Sequence, residues 1–253
     1  MGNRLTFALR DLLFPPRCVG CGELLAPFSG PDAIFCPLCR TAWESAVNEA
    51  AEQAERDASR GLIYLTFYRS NRTDGVPERM IYRIKHKGDP RIFAFVAERL
   101  SPRVLRAAES LPTRADATVN AREFPILVTY PPRRSAAVRE DGFDQAKRLA
   151  QALAKTCGGE FASVIRRSNR RGREQKELDA EGREQNANRS YKIKKSAATT
   201  VNGRIAVICD DVCTTGATLN RCAELLVEAG ARLVILAAVE RTCGREEASD
   251  SGG

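Results

Sequence analysis

The clearest hydrophobic pattern lies in the last quarter of the chain. The apolar run from Arg204 to Cys209 predicts a buried strand, and the sequence RLVILAAVE at residues 232–240 predicts a second one. Between them, an apolar stripe at helical spacing ends before Gly230, a residue suited to terminate a helix: Leu219, Cys222, Leu225, Leu226 and Ala229. A strand, a helix and a strand of these lengths predict a βαβ unit in a parallel sheet.

Apolar segments further upstream extend this alternation. Strands are predicted at Leu62–Tyr68, at Phe124–Pro132, where prolines end the segment, and at Glu160–Val164. Helices are predicted on both sides of a break at Gly88 and Pro90, and again over residues 142–155. The pattern therefore predicts an α/β fold in which helices flank a parallel sheet.

Three segments lack a core-forming pattern. Residues 44–60 are rich in Ala, Glu and Arg and predict an exposed helix that links two parts of the chain. Residues 166–190 are polar throughout, which is typical of a functional loop or of disorder. The acidic, glycine-ending tail predicts disorder. These segments divide the chain into residues 1–43, a linker at 44–60, a main domain at 61–242 and a tail at 243–253.

The first residues, RLTFALRDLLF at 4–14, combine apolar positions with three charges. This pattern favours a short amphipathic helix over a signal peptide. No apolar run approaches the roughly 18–20 residues that a membrane helix needs. We therefore expect no membrane span and a cytoplasmic location.

Charge is concentrated in one segment. The formal net charge is +8, and residues 160–195 contain eleven Lys/Arg against six Asp/Glu. Such an excess favours a polyanionic partner, either nucleic acid or a phosphorylated small molecule. A solvated, mobile loop would have the same composition, so both interpretations stay open.

The cysteines suggest a metal site. Of nine cysteines, four form two C-x2-C pairs separated by 14 residues: Cys18, Cys21, Cys36 and Cys39. Four thiolates in this spacing predict a tetrahedral Zn²⁺ in a small zinc ribbon, with a structural role because no coordination position stays open. Redox pairs or unligated thiols are the alternative. Most of the other five cysteines are expected to be small buried residues.

The stretch ICDDVCTTGAT, at residues 208–218, joins the first strand of this βαβ unit to its helix. Thr214, Thr215 and Thr218 offer hydroxyl donors, Gly216 permits close approach, and the helix start offers unpaired N–H groups. This combination predicts a site for a monophosphate. It is not a Walker A loop, because no Gly-Lys-Ser/Thr follows.

Asp210 and Asp211 directly precede this loop. Carboxylates repel a phosphate but accept hydrogen bonds from vicinal hydroxyls, or bind a Mg²⁺ bridging those hydroxyls. A diol next to a phosphate describes a ribose 5-phosphate. The alternative is a capped turn without a ligand, although two carboxylates at a strand end are then hard to explain.

This stretch resembles the PRPP-binding signature of type I phosphoribosyltransferases. Together with FPPRCVGCGELL, YRIKHKGD, EDGFDQAKRLAQALA and QKELDAEGREQN, it also resembles the ComF family of competence-associated proteins, in order from Phe14 to about Glu240. The sequence departs from that family at Asp141, where arginine is usual, and at Val128–Pro131. The resemblance implies a type I phosphoribosyltransferase fold preceded by a zinc ribbon.

The resemblance also implies roles for particular residues. It implies PRPP binding with Mg²⁺ and displacement at the anomeric carbon, with Asp210 and Asp211 as the catalytic pair that holds the ribose. Arg133 and Arg134 become candidates for contact with the pyrophosphate. The alternative is that they are ordinary surface arginines. A mobile flap would contain Gln175, Leu178, Arg183 and Asn186. His86, the only histidine, is expected to be exposed and not to act as a base.

The resemblance implies a role in DNA uptake, so a second hypothesis stays open. The protein would then be a non-catalytic module that binds single-stranded DNA among competence proteins. A third hypothesis is a zinc-ribbon regulator that senses a phosphosugar and engages a partner protein through Cys18–Cys39. No residue identifies the acceptor base of a transferase reaction.

Overall fold

A computed structural model describes residues 15–26, 33–69, 73–112, 125–167 and 190–242. Several predicted features lie outside these residues. They are the N-terminal helix at 4–14, most of the polar segment with the flap residues Gln175, Leu178, Arg183 and Asn186, the tail at 243–253, and Cys243. No helix in the described ranges is long and apolar enough to span a bilayer.

Helices and strands alternate along most of the chain. The helices are α1 (Pro37–Ala58), α2 (Val76–His86), α3 (Pro90–Ser110), α4 (Ser135–Asp141), α5 (Gln145–Cys157), α6 (Ala198–Val201) and α7 (Ala217–Glu228). The strands are β1 (Leu62–Ile63), β2 (Thr66–Tyr68), β3 (Ile126–Thr129), β4 (Glu160–Phe161), β5 (Ile165–Arg167), β6 (Tyr191–Ile193), β7 (Ile205–Cys213) and β8 (Leu233–Thr242). A 3₁₀ turn at Lys195–Ala197 precedes α6.

One parallel sheet organises the main domain. Its strand order is β1–β8–β7–β3–β4, and β2 also pairs with β8. The predicted α/β fold with a helix-flanked parallel sheet is thereby confirmed. Because all these strands are parallel, their carboxyl ends meet at one edge, where ligands bind in open α/β sheets. Strands β5 and β6 form a separate antiparallel pair.

Alternate residues of β7 enter two different hydrophobic clusters. Val207 and Cys209 pack in the cluster that contains α3 and α5, whereas Ala206 and Ile208 pack in the cluster that contains α7. This is the period of two that a strand imposes on its side chains. The two sides of β7 are therefore different environments, and this difference continues to the carboxyl end of the strand.

Strand β7 is longer than the apolar pattern indicated. We expected it to end at Cys209, but it pairs with β8 as far as Cys213, opposite Arg241. Asp210 and Asp211 consequently lie within the strand. Backbone pairing with β8 depends on a neighbouring strand and not on local polarity, so the two carboxylates did not terminate it.

The N-terminal part of the described chain packs on the main domain. Helix α1 begins at Pro37, a residue suited to the first helical position, and not at residue 44 as expected. Within residues 44–60, which we expected to be exposed, Ala50, Ala54 and Asp57 are buried. Just before them, Trp43 is buried, and its ring stacks with Phe35 and contacts the edge of Phe95 on α3. The cysteine pairs therefore share a hydrophobic cluster with α3.

Candidate functional site

A cavity of about 210 Å³ lies where β7 ends and α7 begins. Five of the predicted ligand-binding residues line it together: Asp210, Thr214, Thr215, Gly216 and Thr218. The remaining lining residues include Arg167 and Tyr191. Asp210 reaches the cavity from the strand, and the loop that follows supplies the three threonines and Gly216.

The loop presents the start of α7 to this cavity. Gly216 occupies the N-cap position with φ of 76°, a conformation that favours glycine, and it provides no side-chain cap. The hydroxyl of Thr215 accepts one weak hydrogen bond, at 3.4 Å, from the backbone N–H of Ala217. Other first-turn N–H groups are thus left without a capping side chain at Gly216, and an anion in the cavity would satisfy them.

Arg167 and Tyr191 are site residues that the sequence did not reveal. Arg167 donates a hydrogen bond of 3.1 Å to the hydroxyl of Tyr191, which is buried, and burial raises the pKa of that phenol. The two residues lie on β5 and β6, the antiparallel strands on either side of residues 168–189. They contribute a cation and a hydroxyl to the cavity. Their only sequence signal was their position at the two ends of the polar segment.

Asp210 faces the cavity and is partly buried. Burial raises its pKa well above the usual value, and the neighbouring charge of Asp211 adds to this effect. One oxygen, Oδ1, accepts a hydrogen bond of 2.9 Å from the backbone N–H of Asp211. Hydroxyl donors or a cation in the cavity would stabilise the ionised carboxylate.

Asp211 does not line this cavity. Its Oδ2 lies 3.4 Å from Nε2 of Gln145 on α5 and 3.7 Å from Nζ of Lys85 on α2. The backbone N–H of Val212 donates to its Oδ1 at 2.9 Å. We expected both aspartates to hold one ribose, but the structure directs them to different partners. Adjacent strand residues face opposite sides of a sheet, which explains the separation.

Arg133 lies on the Asp211 side. Its Nη1 donates to Oδ2 of Asp141 at 2.8 Å and to Oε1 of Gln145 at 2.6 Å. Its backbone N–H donates to Oδ2 of Asp144 at 3.2 Å. The hydrogen bond from Arg133 lowers the pKa of Asp141. Arg134 is exposed at the N-cap of α4, and neither arginine lines the 210 Å³ cavity.

These contacts close into a ring of polar side chains. Oδ1 of Asp141 lies 3.5 Å from Nδ1 of His86, which precedes the break after α2 and is exposed as expected. His86 follows Lys85 in the sequence, and Lys85 contacts Asp211, so the set of contacts closes. We call this set the charge ring: Lys85, His86, Arg133, Asp141, Gln145 and Asp211. Sequence reasoning did not identify Lys85 or Gln145 as part of the site.

The four predicted metal ligands also come together. The Sγ atoms of Cys18, Cys21, Cys36 and Cys39 lie within 4.8 Å of one another, and those of Cys21 and Cys36 are 3.8 Å apart. Four sulfurs bound tetrahedrally to one Zn²⁺ at about 2.3 Å lie about 3.8 Å apart. Burial opposes ionisation of Cys18, but backbone N–H groups of the two knuckles lower its pKa to about 6. The cluster could therefore hold a metal such as zinc.

This cluster is joined to α2. Nη1 of Arg79 donates to the carbonyl of Gly20 at 2.8 Å. A Cβ at Gly20 would lie 2.6 Å from Sγ of Cys39 and 3.2 Å from Val76, so no side chain fits there. The helix that holds the cysteine cluster is thus the helix that supplies Lys85 and His86 to the charge ring.

Comparison with known families identifies the class of the C-terminal part. Residues 136–251 match the model of the phosphoribosyl transferase domain. The match spans just under half of the chain and includes most of α4, both aspartates of β7 and the threonine loop. This part of the chain is therefore a phosphoribosyltransferase-type domain.

No curated protein sequence matches the chain. Among solved structures, the allosteric regulatory enzyme of purine biosynthesis is 17% identical, with 62% of this chain and 30% of that chain covered, at a TM-score of 0.35. The glutamine PRPP amidotransferase from B. subtilis is 16% identical, with 67% and 28% covered, at 0.34. An alanine mutant of an invariant aspartic acid in HPRTs is 13% identical, with 70% and 74% covered, at 0.33. The chain spans less than a third of the first two structures, and TM-scores this low support no conclusion.

Proposed function

We propose that this protein binds PRPP or a related phosphosugar in the cavity at the end of β7. The threonine loop would hold the 5-phosphate, and Asp210 would accept hydrogen bonds from the ribose hydroxyls. One observation carries the proposal. An uncapped helix start, threonine hydroxyls and a carboxylate line one cavity, within the segment that matches the phosphoribosyl transferase domain.

The cavity suits the two ends of a phosphoribosyl group. Arg167 and the N–H groups at the start of α7 provide positive potential for a phosphate. Asp210 lines the same cavity and burial raises its pKa, so hydroxyl donors would offset the unfavourable burial of its charge. One cavity thus offers both donors for a phosphate and an acceptor for a diol.

The reaction that fits this arrangement is displacement at the anomeric carbon. In PRPP, the bond from this carbon to pyrophosphate breaks, pyrophosphate leaves with the electron pair, and a nucleophile forms the new bond. Positive charge develops on the ribose ring, and the Asp210 carboxylate would stabilise it. The residues that would bind the nucleophile are not identified, so turnover is proposed only for an acceptor still to be found.

Magnesium would be held mainly by the ligand. In the described ranges, the four cysteines are the only group of three or more candidate metal ligands. Mg²⁺ commonly binds through one or two carboxylates together with substrate phosphates, and Asp210 offers one carboxylate. When bound, Mg²⁺ would neutralise charge on the leaving pyrophosphate.

We also propose that the cysteine cluster holds a structural Zn²⁺. Four thiolates leave no open coordination position for catalysis. The buried positions of Cys18 and Cys39 against α1 and α2 fit a role in shaping that part of the protein.

The ComF resemblance extends the proposal to DNA uptake, with competence proteins or single-stranded DNA as partners. Most of the basic segment that would contact DNA lies outside the described residues. Deleting the gene in a naturally competent host should reduce transformation, and unchanged transformation would refute this role. Salt-sensitive binding of single-stranded DNA without pyrophosphate release would favour the non-catalytic alternative.

Calorimetric titration tests the ligand proposal. The zinc-loaded protein should bind PRPP with Mg²⁺, and ribose 5-phosphate, whereas the double variant Asp210→Asn/Asp211→Asn should lose both. Glu98→Gln is the control, because it removes an exposed carboxylate of α3 that does not line the cavity. If folded wild-type protein binds neither ligand, the proposed function is wrong. If the double variant binds as well as wild type, the ligand lies elsewhere.

A further inference from the structure

In the loop after β3, Nη1 and the backbone N–H of Arg133 are engaged by other groups of the chain. The guanidinium of Arg133 donates to Asp141 and Gln145, and its backbone N–H donates to Asp144. Asp141 is the last residue of α4, and Asp144 directly precedes α5. Asp144 is further engaged as the N-cap of α5, where its Oδ1 accepts from the N–H of Lys147 at 3.2 Å.

This loop lies next to the proposed ligand cavity. Strand β3 is the immediate neighbour of β7, with Thr129 paired to Ile208, and both strands end at the same edge. Arg133 and Lys85 are the cations of the charge ring beside β7, and each faces a carboxylate, Asp141 and Asp211 respectively. A second phosphate group reaching from the cavity toward β3 would therefore meet paired cations.

We propose that Asp141 determines specificity by competing with ligand phosphates for Arg133. The inference rests on the proposed function and narrows its substrate class. A sugar that carries only a 5-phosphate occupies the cavity without disturbing the charge ring. A sugar with an additional diphosphate on its first carbon, as in PRPP, must displace Asp141 to reach Arg133. The Arg133–Asp141 pair therefore lowers the affinity for PRPP but not the affinity for the singly phosphorylated pentose.

Neutralising Asp141 tests this competition directly. Asp141→Asn should raise the affinity for PRPP with Mg²⁺ by about threefold to tenfold, the range expected for an exposed ion pair, and leave that for ribose 5-phosphate within about twofold. Glu140→Gln is the matched control. It removes the same charge from the preceding, exposed residue of α4, and it measures the general effect of charge on a multiply charged ligand.

A double-mutant cycle tests whether the gain in PRPP affinity depends on Arg133. In an Arg133→Gln background, Asp141→Asn should no longer raise PRPP affinity, because the guanidinium that would bind the diphosphate is absent. Thermal unfolding of each variant verifies that it is folded. The inference is overturned if Asp141→Asn changes both ligands equally, changes neither, matches Glu140→Gln, or keeps its gain without Arg133. If folded wild type and Asp141→Asn bind neither ligand, the proposed function fails, and the inference fails with it.

Discussion

The two sides of β7 treat neighbouring carboxylates in opposite ways. Asp210 faces a cavity with threonine hydroxyls and an uncapped helix start, and no described cation forms an ion pair with it. Asp211 faces the charge ring, where Gln145 and Lys85 contact the same oxygen. One side is thus built to receive a ligand, and the other is satisfied by the chain.

The difference shows where charge is stabilised and where it is left for a ligand. Burial raises the pKa of Asp210, because few protein groups replace the lost water. On the other side, the hydrogen bond from Arg133 lowers the pKa of Asp141. A pair of adjacent acidic residues in sequence therefore does not define a pair of equivalent ligands.

The largest expected effect is that metal removal destabilises the charge-ring side of β7 more than the cavity side. Removing the proposed Zn²⁺ from the cysteine cluster with a chelator should lower the free energy of unfolding by several kcal/mol, because binding of a structural metal is coupled to folding. Hydrogen exchange should increase in α2, which contacts the cluster and carries Lys85, more than in α7 beside the cavity. As a control, the Cys157→Ser variant keeps the cluster intact and should respond to the chelator as the wild type does. Equal exchange in both helices would contradict a role confined to the charge-ring side.

The next effect compares the two aspartates singly. Asp210→Asn should weaken ribose 5-phosphate binding by about a hundredfold, because charge-assisted hydrogen bonds to the ligand are lost. Asp211→Asn should weaken it by about fivefold or less, because its partners are protein groups. Titration calorimetry measures both. Equal losses would show that the two carboxylates act on one ligand despite facing different sides.

A smaller effect concerns the cation at the cavity. Arg167→Gln should lower affinity for inorganic phosphate and ribose 5-phosphate by about fivefold, because one phosphate contact is removed. Arg166→Gln removes the same charge from the neighbouring exposed position, which does not line the cavity. Titration at two salt concentrations compares the variants. Identical losses of affinity in the two variants would mean that Arg167 acts only by long-range electrostatic attraction and not by contact with the phosphate.

The smallest effect is on stability, and its sign should differ between the two sides. The pKa of Asp210 is raised, so stability from this group is fully present below about pH 3.8 and is lost as pH rises through the raised pKa. Asp210→Asn should therefore raise Tm at pH 7 by about 2–4 °C, with no gain at pH 3.

Asp141 provides the opposite case. Its pKa is lowered, so its stabilisation is present above the ordinary pKa and is lost as pH falls through the lowered value. Asp141→Asn should lower Tm at pH 7 and have no effect in strong acid. Thermal unfolding from pH 3 to pH 8 measures both variants. Shifts of the same sign at pH 7 would remove the electrostatic distinction between the two sides.

Features whose parts are close along the chain could be predicted from the sequence alone. The βαβ unit, the phosphate loop at Thr214–Thr218 and the cysteine cluster are each specified by hydrophobic period or residue spacing over short distances. The structure brings these predicted residues together in one cavity and one cluster of sulfurs. Local pattern was sufficient because a strand followed by a helix places its connecting loop at a fixed edge of the sheet.

Which charged side chains meet depends on how the helices pack against the sheet. Lys85 reaches Asp211, and Arg133 reaches Asp141, because α2, α4 and α5 pack beside the ends of β3 and β7. Arg167 joins the cavity because β5 pairs with β6. Pairing with β8 extended β7 through both aspartates and turned them to opposite sides. Such contacts join residues far apart in sequence, and periodicity carries no information about which of them become neighbours.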